Sequence, residues 1–421
     1  MTPPHAALEQ WLDARHGEAV AFLAELVKVP SDTPPGDNAV HAERAAALLT
    51  ALGFTVERHE VPADRVAAAG LRSITNLVVR HRFAAGPTIA LNAHGDVVPP
   101  GSGWTREPYG AEIHGGRMYG RGVAVSKSDF ATYAFALAAL KAAHGQGHAL
   151  RGSVELHFTY DEEMGGELGP RWLLTNDITK PDLVICAGFS YGIVTAHNGC
   201  LQLEAVLQGR SAHAAIPQSG VDALRAAVAV LTDLYASRDA LSRIRSHVPG
   251  IDHPTLNIGR IEGGIHTNVV PERVMFRLDR RIVPEEDPAQ VEEALRQFLQ
   301  ASAGRHPGIE LVMRRLLLAD PLRPSPGQQP LVEALQRHGL RIFGEPIPAQ
   351  GVPLYTDARH YARAGIPAVL YGAGPRTIEA SNAKRADENL LLEDLRKSTR
   401  VLACALADLL SRPTAPAPSW T

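Results

Sequence analysis

The stretch TIALNAHGDVVPPGSGW, residues 88–104, runs from an apolar segment directly into His94 and Asp96. A short, continuous apolar run bounded by turn residues reads as a strand buried on both faces, the kind found in parallel sheets covered by helices. The pattern returns in ITNLVVR near 74–80, SVELHFTY at 153–160 and DLVICA at 182–187. The alanine-rich helical segment FATYAFALAALKAAH, 130–144, lies between two of these runs. Strands alternating with helices predict an α/β layer with a mostly parallel sheet. Upstream, residues 6–28 and 38–52 carry apolar side chains at helical spacing, and the second run stops at Gly53.

After Gly199 the rhythm changes. CLQLEAVLQG alternates as a half-buried strand does, and VDALRAAVAVLTDLYAS follows as a helix. TLNIGRIEGG, ERVMFRLDRRIV, the helix PAQVEEALRQFLQASAG and IELVMRRLLL complete a strand–helix–strand–strand–helix–strand order. That order describes an α+β unit inserted into the first domain. PLVEALQRHGLRIFG and AVLYGAG return to the α/β pattern. The expected division is a discontinuous α/β domain, 1–198 and 317–412, an inserted domain, 199–316, and a disordered proline-rich tail, 413–421.

At 421 residues the chain is too long for one ordinary core, in keeping with two domains. A formal net charge of −3 with 21% charged residues provides no basic footprint for nucleic acid or a membrane surface. Cys186, Cys200 and Cys404 form no CxxC pair and read as free thiols in a reducing compartment. Neither a signal-peptide pattern nor an apolar run of about 18 residues is present, so a cytoplasmic soluble protein is expected.

Ligands of open α/β sheets gather at the C-terminal ends of the strands, where His94 and Asp96 fall. Asp96 is suited to hold the His94 ring as carboxylates hold metal-bound imidazoles. A second buried strand delivers Asp161, Glu162 and Glu163 in YDEEMGG, 160–166. Adjacent glutamates point apart, so one can hold a cation while the other moves a proton. His114, His157, His197 and His266 are scattered and read as structural.

HGDVVP, GW, GGRMYGRG, YDEEMGG, TAHNG, GRSAHAAIP, GGIHTNVVPERV, YTDAR and GIPAVLYGAGP occur in one order. In this the chain resembles the zinc exopeptidase family of aminoacylases, carboxypeptidase G, acetylornithine deacetylase and succinyl-diaminopimelate desuccinylase, from about Ala6 to Leu410. The resemblance implies a catalytic α/β domain with an inserted lid domain that dimerises. It also implies hydrolysis of an amide beside a carboxylate-bearing group. On this likeness Glu162 matches the general base, His94 and Glu163 two metal ligands, and Asp96 the residue orienting the histidine. His213 matches the lid histidine that reaches the reacting carbonyl. Asn268 and Arg281 match positions holding the substrate carboxylate, a task that suits the arginine fork, and Arg359 joins them or serves structural pairing.

Three further ligands of the family's two-metal site have no counterpart. Val125 stands at the bridging aspartate of GRGxxDxK, Ala187 or Gly188 at the next acid, and Lys384 at the last histidine. An alkyl group cannot ligate zinc, and an ammonium has no lone pair to offer. Asp129, about 6 Å further along a helix, reads either as a substitute ligand or as a first-turn acid behind a Ser126 or Ser128 cap.

The expectation is therefore a divergent amidohydrolase, homodimeric, with at most one weakly bound zinc-like ion and with Lys384 taking over part of a metal's electrostatic work. Metal-independent chemistry on a related substrate, C–N lysis included, and a catalytically silent binding protein are the alternatives.

Overall fold

Small side chains set the spacing between the main sheet and its helices. The computed structural model describes residues 4–411, and the expected disordered tail lies outside them. Helix Ser128–Gly145, with six alanines among its buried positions, is covered around most of its circumference. It packs against helix Leu392–Ser411, which is likewise largely buried. Alanine favours the helix and lets such neighbours approach closely.

These helices belong to a unit that runs to Thr195 and resumes over Pro324–Gln350 and from Thr356. Six strands of its eight-stranded sheet run in the order Val56–Glu60, Thr75–Ala84, Gly152–Thr159, Thr88–His94, Leu183–Cys186, Ala368–Leu370. The last four pair in parallel, and the first three pair antiparallel. The sheet is mixed α/β with a parallel centre, as the buried apolar runs require.

The second unit comprises Ala196–Arg323 and Gly351–Tyr355. Its antiparallel sheet orders Thr255–Gly263, Arg273–Ile282, Gly199–Gln208 and Glu310–Ala319. Leu201, Leu203, Ala205 and Leu207 all point from one strand into its core, which explains the alternation in the sequence. Helix Ala223–Leu241 starts at Asp222, whose carboxylate accepts from the Leu224 and Arg225 amides; Asp287 does the same for Gln290 at helix Pro288–Ala303. This unit ends later than the expected 316 because Glu310–Ala319 pairs with Gly199–Gln208 over its full length.

Candidate active site

His94 ends a parallel strand and lies in register with Thr159 of its neighbour, so the turns after both strands emerge side by side. A Cβ on Gly95 would meet the Tyr160 ring at 2.4 Å, so the close approach requires glycine. Asp96 is fully buried, and its two carboxylate oxygens accept from the amides of Glu162 (3.3 Å) and Glu163 (3.0 Å). The His94 Nδ1–H donates to the main-chain carbonyl of Asp96 at 3.0 Å, while the carboxylate stands 3.4 Å from that nitrogen. Asp96 thus anchors the acidic turn directly and holds the imidazole chiefly through its backbone. His94 Nε2 faces Glu162 Oε2 at 3.8 Å. Burial works against an imidazolium here, but Glu162, Asp96 and Glu163 outweigh it and raise His94 to about 10.

Lys384 Nζ meets Glu163 Oε2 at 2.7 Å. Burial pushes the Glu163 carboxyl up against the pull of Lys384, and Glu162 adds to that push. The Lys384 side chain is about half exposed, and against the cost of partial desolvation Glu163 and Glu162 hold its pKa above the ordinary lysine value. Five expected residues (His94, Asp96, Glu162, Glu163 and Lys384) therefore stand together.

Arg359 does not join them as a substrate clamp. It is buried, donates to the Gly165 carbonyl and lies 3.5 Å from Glu167, so it fixes the glycine turn behind Glu163. In the second unit, His213 and Asn268 are exposed on adjoining loops, joined by the Ala214 amide on the Asn268 carbonyl at 3.0 Å. His266 Nδ1 lies 2.6 Å from Asn268 Oδ1. Arg281 stands at the other end of strand Arg273–Ile282, where its Nε donates to Asp279 at 2.8 Å and its guanidinium lies 5.6 Å from the Tyr355 ring centre. At about 3.3 Å per residue, roughly 26 Å of strand separates Arg273 from Arg281.

Neither serine caps helix Ser128–Gly145. Ser126 Oγ instead donates to the His94 carbonyl (2.9 Å) and accepts from its amide (3.1 Å). Asp129 is no exposed first-turn acid: it is buried and accepts from the amides of Gly188 (3.2 Å) and Ala373 (2.6 Å). Two residues escaped the sequence reading. Buried Glu388 accepts from the Ala124 and Val125 amides (3.1 and 3.3 Å) and from the buried Arg121 (2.6 Å). Asp357 is buried with one oxygen lacking a hydrogen-bond partner, and burial with Glu162 and Asp161 nearby pushes its carboxyl well up. YTDAR contained that aspartate, but only its arginine drew notice.

A family model described as peptidase family M20/M25/M40 matches residues 90–408. An acetylornithine deacetylase of Edwardsiella ictaluri is 30% identical over 86% of this chain and 88% of its own. A succinyl-diaminopimelate desuccinylase of Gluconacetobacter diazotrophicus is 26% identical over 93% of this chain and 97% of its own. Human carnosine dipeptidase 1 superposes with a TM-score of 0.76 at 17% identity, over 98% of this chain and 100% of that one. Bacillus subtilis YXEP, a dinuclear metal binding peptidase, superposes with a TM-score of 0.64 at 15% identity, over 94% and 99%. These two structures show the shared fold alone.

A metal pair does not fit the residues present. Val125 and Ala187 offer alkyl groups packed against the core, and Glu163 is taken up by Lys384. Both oxygens of Asp129 already accept amide hydrogens. Among the described residues, the one group of three His, Cys, Asp or Glu donors lying within 4.8 Å of one another is His5, His338 and Asp408, on other helices.

Proposed function

Because this chain belongs to peptidase family M20/M25/M40, we propose that it hydrolyses the C–N bond of a small carboxylate-bearing amide, an N-acyl amino acid or a dipeptide. The observation that carries this reading is the parallel register of His94 with Thr159, which sets Glu162 beside His94 at the C-terminal edge of the sheet. The deacetylase and desuccinylase relatives support the substrate class by their names.

Glu162 takes the proton of the attacking water and passes it to the nitrogen as the C–N bond breaks. Asp96, through the two amides it holds, keeps Glu162 and Glu163 in place. Lys384 faces the negative charge that develops on the carbonyl oxygen, as a weaker point charge than a metal would be. His213 meets the reacting carbonyl, while Asn268 and Arg281 hold the carboxylate. No step runs through a metal, and at most one zinc-like ion is held weakly. Non-hydrolytic chemistry and a silent binding role find no support among the relatives.

The working form is a homodimer. Roughly 26 Å of strand between Arg273, which follows the Asn268 loop, and Arg281 supports a site completed by a second copy. No helix among the described residues is long and apolar enough to cross a membrane. Three buried free thiols favour a cytoplasmic setting, and no nucleic acid is a partner.

Incubation with N-acetyl and N-succinyl amino acids and dipeptides, read by mass spectrometry, tests the reaction. Release of free amine with uptake of one water is expected. A panel left uncleaved, or an unsaturated product from lysis, overturns it.

A further inference from the structure

We infer that Lys384 is the resident cation of this centre: its ammonium occupies Glu163 in place of a metal ion, and one hydrogen-bonded assembly closes the remaining metal positions. The inference deepens the hydrolase reading and rests on it only for the identity of the centre.

Three observations point the same way. First, Lys384 Nζ holds Glu163 Oε2 at 2.7 Å, so the ammonium stands within a few ångströms of any zinc ion that Glu163 would hold at about 2.0–2.2 Å. Two cations on one carboxylate repel each other, so the ammonium weakens zinc binding as long as it stays on Glu163. Second, Lys384 has a φ of 61°, in the left-handed region that lysine rarely adopts. Its loop is tied down by Asn389, whose amide donates to the Asp387 carbonyl at 3.0 Å, and by Asp387, which accepts from Thr105 at 2.9 and 2.8 Å. A surface lysine with no task would not need so constrained a backbone; this one is aimed.

Third, the replaced positions are mechanically joined. Glu388, in the loop of Lys384, clamps the amides of Ala124 and Val125, the turn that carries an alkyl group where a bridging acid is needed. Asp129, at the start of the following helix, clamps Gly188 beside Ala187. Glu388 and Asp129 are thus spent on backbone amides and on Arg121, whereas Asp357 keeps one oxygen without a partner.

The test counts zinc in protein purified without added metal and titrates zinc by calorimetry. Both use a His5→Ala background, so that the separate His5, His338 and Asp408 group does not contribute. Less than one zinc per chain is expected, with amide hydrolysis surviving a chelator. Lys384→Arg should keep the low zinc content, since the cation remains. Lys384→His alone should stay well short of two zinc ions. With Val125→Asp and Ala187→Glu added, zinc should bind at least tenfold more tightly than to Lys384→His.

One or more tightly held zinc ions in the parent protein, or two in Lys384→His alone, overturns the inference. So does equal zinc affinity in the single and triple variants, each first shown to be folded by thermal unfolding. If zinc is absent and no amide is cleaved, the hydrolase reading fails and this one stands. If chelation abolishes hydrolysis, the reverse holds.

Discussion

Glu162 and Arg281 carry the sharpest single-residue expectations. Glu162→Gln keeps the volume and removes the base, so kcat should fall by about 10²–10⁴ with little change in melting temperature. A variant within threefold of wild type would take Glu162 out of the reaction. Arg281→Ala should weaken binding of an anionic substrate by roughly 2–5 kcal/mol, the usual effect of removing one partner from a desolvated charge pair. Asp279 is its resident partner, also held by Gln202 at 3.0 Å, so the loss should appear in KM rather than in folding. An unchanged KM for the best carboxylated substrate excludes Arg281. At this scale His94, Asp96, Glu162 and Glu163 were legible because each follows a buried apolar run. For Arg359 the sequence left substrate binding and structural pairing both open, because its partners, Gly165 and Glu167, lie nearly two hundred positions away and no local pattern names them.

The elements themselves were legible for the same reason: burial on both faces writes continuous apolar runs, and the second unit's half-exposed strands write alternation. What the runs cannot show is how their ends are joined. The helix opening at Ser128 looked capped by its own serines, whereas Ser126 binds His94, and Asp129 binds Gly188 and Ala373. Asp129→Ala should therefore cost about 1–3 kcal/mol, because it leaves the buried Ala373 amide and the part-buried Gly188 amide without their acceptor. Chemical denaturation showing a loss below 0.5 kcal/mol would mean that Asp129 does not join these loops. The strand Gly152–Thr159 offers a pH test. Burial opposes ionisation of Glu155, but His157, Thr179 and Arg80 outweigh it and hold the carboxyl at about 2. A carboxyl depressed in the folded state stabilises it above the unfolded value of 4.5 and loses that contribution as pH falls towards 2. Acid unfolding of Glu155→Gln should lack this part of the slope; an identical pH profile would show that the network does not hold the charge.

At the scale of the whole molecule, the exposed apolar surface of the second unit asks for a partner. Leu224, Val228 and Tyr235 lie along one face of helix Ala223–Leu241, and Ile261 stands on the outermost strand of the antiparallel sheet. A helix face beside an open strand edge is a surface that a second copy can cover by isologous contact. The sequence showed the insertion but not this surface, because residues separated by a turn in the chain share a face only once the sheet and helix have packed. If the proposed homodimer forms through this face, Val228→Glu with Ile261→Lys should sediment as monomer and lose activity while each chain stays folded. A sharper measurement uses the distance along strand Arg273–Ile282. If Arg281 of one copy works with His213 and Asn268 of the other, His213→Ala and Arg281→Ala variants are each inactive alone. Mixed and allowed to exchange subunits, they form hybrids in which one of two sites keeps every residue, so about a quarter of wild-type activity should return. Activity that stays at the level of the separate variants, with exchange demonstrated, would mean that each copy binds substrate with its own residues.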